Sequence, residues 1–161
     1  MDLTKDRIAG YLRNSYYVAV ELGYKKSRLQ EVLDKLKIIL KNNAVPNIYF
    51  GEVIQDKEQP KLIIYKKSKI LDDSSNKITV KLVKIIGKEK FLGMFYQSCI
   101  DHELIGHLYY YFLGKDCSEK TALKTQLLFA EKRSFSDNDW TLFHKYLPLI
   151  LRSHNKLKPK I

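Results

Sequence analysis

Cysteine is scarce in this chain: two among 161 residues, Cys99 and Cys117, with none of the Cys-x-x-Cys spacing of a thiolate metal site. Two thiols cannot build a disulfide framework, so both read as reduced. Acidic side chains are also short, 18 Asp and Glu against 29 Lys and Arg, which leaves a net charge of +11. Such an excess suits polyanions through counterion release, yet no RNP, zinc-finger or basic-zipper pattern organises it. No tandem array is visible. The first seven residues mix charges instead of pairing a basic region with an apolar run, so no secretory leader is expected and the chain reads as cytoplasmic. The one long apolar stretch, 91–113, is interrupted near its middle by Asp101, His102, Glu103 and His107. Charged groups there would cost about 2.5 to 3.5 kcal/mol each at a bilayer centre, so the stretch reads as a buried helix of a soluble domain with no membrane partner.

What is present is globular: 45% hydrophobic and 12% aromatic residues in a length suited to one domain, 1–161, with a basic tail at about 154–161. Ile8, Leu12, Tyr16 and Val20 predict a helix over 4–22 that stops at Gly23. Leu29, Val32, Leu33, Leu36 and Leu40 predict a second over 27–41, and Pro46 ends helical character. Strands are expected at 48–54, 61–70 and 77–86, the last two joined as a hairpin through Asp72–Asn76. Alternation in 77–83 gives that last strand one polar and one buried face. After Gly87 a long helix runs to about Gly114, and Asp116 and Ser136 open two more, through about Arg133 and Ser153. The expected class is α+β: two helices, a small antiparallel sheet, then three helices.

The long helix carries His102-Glu103-Leu104-Ile105-Gly106-His107. The common zinc-protease pattern, H-E-x-x-H, spaces its histidines by four so that both rings leave one helix face. Here the spacing is five. Residues i and i+5 of a regular α-helix differ by roughly 140° about the axis, too far for one metal. A π-bulge absorbs one residue and restores a common face, and such bulges concentrate at functional sites. Gly106 is the residue type that tolerates the distortion.

The segment resembles the H-E-x-x-G-H motif of the dipeptidyl peptidase III family through His102, Glu103, Gly106 and His107. In that family a bulged helix supplies two zinc histidines and a general-base glutamate, and a third ligand comes from an E-E-x-x-A-E motif on a later helix. The counterpart here is Ser118-Glu119-Lys120-Thr121-Ala122-Leu123, which keeps the ligand-type glutamate and the alanine but not the first and last glutamates. In size the chain is closer to compact zincins. The resemblance implies a zincin-like domain and a glutamate-zincin site for Zn²⁺, with His102, His107 and Glu119 as ligands and Glu103 as base.

A zinc ion on two neutral imidazoles and a carboxylate keeps a position for water, whose pKa falls to about 7. Glu103 would take that water's proton and return it to the leaving amine of a peptide or protein substrate. An oxyanion donor is also needed, and His144 or one of Tyr109, Tyr110 and Tyr111 can supply it. The third ligand has substitutes in Glu131 and Asp116, and Glu119 with Asp116 also fits a capping box that needs no metal. The competing class is a non-catalytic basic module for nucleic acid or another polyanion, built on Lys61, Lys66, Lys67, Lys69 and the tail Asn155–Lys160. In it the motif is a structural metal site or helix packing.

Overall fold

Thr4 opens α1 (Lys5–Glu21), its hydroxyl accepting from the Arg7 N–H at 3.2 Å, and α1 buries Ile8, Leu12, Ser15 and Ala19 along one stripe. The computed structural model describes residues 3–41, 51–66 and 77–156, with side chains to 152. Gly23, at φ 89°, turns the chain into α2 (Lys26–Lys35), which buries Leu29 and Val32. At Leu36 the backbone becomes extended and continues as β1 (Lys37–Lys41). The expected helix over 27–41 therefore ends six residues early. A short apolar run cannot tell a helix from a buried strand by periodicity, and here β-sheet pairing decides it.

The sheet has three strands in the order β1-β3-β2, with β2 at Gly51–Ile54 and β3 at Lys61–Tyr65. β3 runs parallel to β1, with Lys37 opposite Lys61, and antiparallel to β2, with Gly51 opposite Ile64. The sheet is thus mixed, not antiparallel. Leu62, Ile63 and Ile64 are buried in succession, as a central strand covered on both faces requires. Residues 48–50, 67–70 and the turn cluster Asp72–Asn76 lie outside the described residues, as do Pro46, Lys67 and Lys69 and the side chains of the tail.

Residues 77–86 correct a third expectation: they form helix α3 (Lys77–Ile86), not a strand. The β-branched alternation also places Ile78, Thr79, Leu82, Val83 and Ile86 at three- and four-residue spacing. Packing that face against α4 and α7 outweighs the weak β-propensity. Gly87, at φ 102°, then admits α4 (Lys88–Ile100), whose residues from 94 to 100 are all buried. A helix apolar all round must be central, and α4 is enclosed by α1, α3 and α6. It continues without a break into a π-helical segment (Asp101–Tyr109) and the short α5 (Tyr110–Phe112), ending before Gly114 at φ 69°. Two further helices, α6 (Glu119–Ser134) and α7 (Asn138–Lys156), complete the α+β fold. No helix among the described residues is long and apolar enough to cross a membrane.

Candidate metal centre

Asp101–Tyr109 form a full π-helical stretch of nine residues, longer than the single bulge expected from the histidine spacing. Each turn closes on the fifth residue back instead of the fourth, so His102 and His107 stand one above the other. Their Nε2 atoms lie 3.2 Å apart. Both ends of the stretch are tied down. At its start Asp101, fully buried, takes a two-pronged ion pair from Arg133 and a 2.6 Å hydrogen bond from the Ser15 hydroxyl. At its end the Tyr109 hydroxyl accepts from the Lys25 N–H at 3.0 Å.

Hydrogen bonding fixes the tautomer of both rings. The Cys117 carbonyl can only accept, so His107 Nδ1–H must donate to it, at 2.7 Å. For His102 the logic runs through three residues. The Ser98 hydroxyl donates to the Phe95 carbonyl at 2.8 Å, which leaves its lone pairs for Gln126 Nε2 at 3.2 Å. That orients Gln126 with Oε1 toward His102 Nδ1, 3.0 Å away, and Nδ1 must donate. In the neutral rings, both Nε2 atoms therefore carry lone pairs, and the two lone pairs face one another across 3.2 Å. Such a contact is repulsive unless a proton or a cation lies between.

Glu119 brings the matching negative charge, with Oε1 3.1 Å from His102 Nε2 and Oε2 3.2 Å from His107 Nε2. Ligand atoms about 2.0 to 2.1 Å from one tetrahedral ion are about 3.3 Å from each other, so these separations fit. Glu103 stands farther back, with Oε1 3.9 Å from His102 Nε2, and His102, Glu103 and His107 form a group able to hold a metal ion. Burial opposes charge on His107, but the Glu119 carboxylate, the charge of Glu103 and the Cys117 carbonyl prevail and hold its pKa above the usual histidine value. The histidine side chains are 8% and 12% exposed, whereas Glu119 is 47% exposed, so the group opens to solvent on the α6 side.

Helix α6 reaches this position because two small residues let it. A Cβ on Gly106 would lie 2.5 Å from Ala122 Cα and 2.8 Å from Ala122 Cβ. Gly106 is not at positive φ, so close approach rather than backbone distortion requires glycine there. Down the same face of α6, Glu119, Gln126 and Arg133 follow at seven-residue intervals. They address the two histidines, His102 and Asp101 in turn. Arg133 also donates to the Asn14 side-chain oxygen Oδ1 through Nε and Nη2, at 3.0 and 2.8 Å, and its guanidinium lies 5.0 Å from the Trp140 ring centroid. Gln126, Ser98, Asp101 and Arg133 escaped the sequence argument, although the spacing of 119, 126 and 133 marks them as one face.

The other sequence candidates lie elsewhere. Asp116 accepts from the Ser118 N–H at 2.9 Å and the Thr121 hydroxyl at 3.0 Å, a cap at the start of α6 that holds its carboxyl below the usual range. Ser118, not Asp116, is the N-cap residue. Glu131 is exposed three turns along α6, and His144 is half-buried on α7; neither belongs to the histidine group. Tyr110 bonds the Tyr24 hydroxyl at 3.1 Å, and Lys57 covers the Tyr111 ring at 4.7 Å, so this aromatic run serves packing. Cys99 is part of the apolar core, and neither cysteine is in a disulfide. No protein-family model, curated protein or solved structure matches the chain.

Proposed function

We propose that this chain is a zinc-dependent peptidase of zincin type, with His102, His107 and Glu119 as ligands and Glu103 as general base. The observation that carries the reading is the pair of Nε2 lone pairs facing each other at 3.2 Å with a carboxylate across them. Two imidazoles and a carboxylate are the ligand set of catalytic zinc, where structural sites favour four closed ligands. A bound zinc ion supplies Lewis acidity and lowers the pKa of water to about 7.

The chain's own residues do the rest. Gln126 and the Cys117 carbonyl hold the two Nδ1–H groups and so aim both Nε2 atoms at the centre, as outer-shell partners do. Glu103, with Oε1 3.9 Å from His102 Nε2, takes a proton from the attacking water and returns it to the leaving amine. β2 packs against the π-helical segment and is, among the described residues, an edge strand, the kind of edge to which an extended peptide can add. The likeness to the H-E-x-x-G-H motif of dipeptidyl peptidase III agrees with the ligand order.

The test is metal content with cleavage of an unfolded protein substrate. Wild type should hold one zinc per chain and cleave until a chelator is added. His107→Ala should lose the metal, and Glu103→Gln should keep it and lose cleavage. Zinc absent from wild type after reconstitution, or normal cleavage by Glu103→Gln, would refute the assignment.

A further inference from the structure

Helix α3 carries Lys77, Lys81, Lys84 and Lys88 along one exposed line, the last just beyond its end. None of the four has a carboxylate partner among the described residues. Lys90 nearby is different, being held by Asp137 and Asp139. The only acidic residue from 77 to 90 is Glu89. Beside the lysines stand large aliphatic side chains that the fold leaves in water: Ile85 is 56% exposed, and Leu149 on the adjoining α7 is 40% exposed. The two helices join at Tyr146, whose hydroxyl takes a hydrogen bond from Lys81 at 3.4 Å. Lys81 and Lys145 both lie over its ring, at 5.3 and 5.5 Å from the centroid.

We infer that the α3–α7 face is a docking surface for an anionic phospholipid membrane. A helix with lysines in a row and exposed aliphatics beside them suits the boundary between headgroups and acyl chains, where each finds its own medium. Nucleic acid would use the lysines only. Its bases would find no free aromatic face, because two ammonium groups already cover Tyr146. A second copy of the same face would set lysine against lysine. The contact is peripheral, since no described helix can span a bilayer.

Flotation with phosphatidylcholine vesicles, with and without phosphatidylserine, tests the inference on the full chain. Each lysine near an anionic surface strengthens partitioning about fivefold. Lys81→Gln with Lys84→Gln should therefore weaken binding to the phosphatidylserine vesicles about 25-fold. Ile85→Ser should weaken it as well, with the circular dichroism spectrum unchanged because all three positions are exposed. Equal binding to neutral vesicles, indifference to the lysine changes, or tighter binding to a DNA duplex that ignores Ile85→Ser would each overturn it. Zinc content of the variants, measured in parallel, reports separately on the metal centre.

Discussion

Replacing Gly106 by alanine tests the packing that delivers Glu119 to the histidines. The added Cβ would stand 2.5 Å from Ala122 Cα, 2.8 Å from its Cβ and 3.2 Å from its carbonyl oxygen. Carbon atoms settle about 3.5 to 4.0 Å apart, so α6 must retreat by about 1 Å at this point. Alanine gains about 1 kcal/mol in intrinsic helix preference over glycine, while overpacking a rigid contact costs about 1 to 3 kcal/mol. The net loss of up to about 2 kcal/mol lowers Tm by up to about 4 to 8 °C in a domain of this size. The metal centre should suffer more, because Glu119 lies one turn from Ala122 and moves with it. Competition against a fluorescent zinc chelator should show affinity down about tenfold or more. Ala122→Gly should not rescue the variant, since the nearest clash is with the Ala122 backbone. An unchanged Tm and zinc affinity in Gly106→Ala, or full recovery in the double variant, would refute this account of the glycine.

Gln126→Leu leaves His102 Nδ1 without its acceptor and should weaken zinc binding about 10- to 100-fold by equilibrium dialysis, while Gln126→Glu should retain or tighten it. Asp101→Ala strands the buried Arg133 guanidinium and should cost about 3 to 5 kcal/mol in denaturant unfolding; a loss under 1 kcal/mol would contradict the network. In the metal-free protein, His107 titrates above its unfolded value of about 6.5, so its stabilising contribution is complete below that pH. That contribution disappears as pH rises through the folded pKa. Histidine NMR should show Glu119→Gln bringing this pKa down, whereas an upward move would reverse the sign of the argument.

The residues that meet at the candidate centre were readable because three of them fall within six positions and Glu119 follows twelve later, so local spacing carried the geometry. Ala122 was readable for the same reason. Asp101, with partners at 15, 97 and 133, was not, because each partner alone is an ordinary polar residue and only the folded chain brings them together. The errors lay where period two and period 3.6 both fit. Lys77–Ile86 satisfies both, and its contacts with α4 and α7 decide for the helix. The end of the second predicted helix was lost because its apolar face runs on unbroken into residues that pair with β3. Pairing between strands 24 residues apart leaves no local mark.

On the zinc reading proposed above, the nine-residue π-helical stretch makes metal affinity a population measurement. An α register through the same residues would turn the two rings away from each other, so only molecules in the π register are competent to bind. Apparent affinity is the intrinsic value scaled by that competent fraction: if one molecule in ten holds the π register, Kd rises about tenfold. Linkage makes the effect reciprocal, and a bound metal must favour the π register by the same factor. Ser15 on α1 and the Lys25 N–H before α2, each holding one end of the stretch, are thereby coupled to the ligands without touching them. Substitutions there should change affinity through the register equilibrium while leaving the coordinating atoms unchanged.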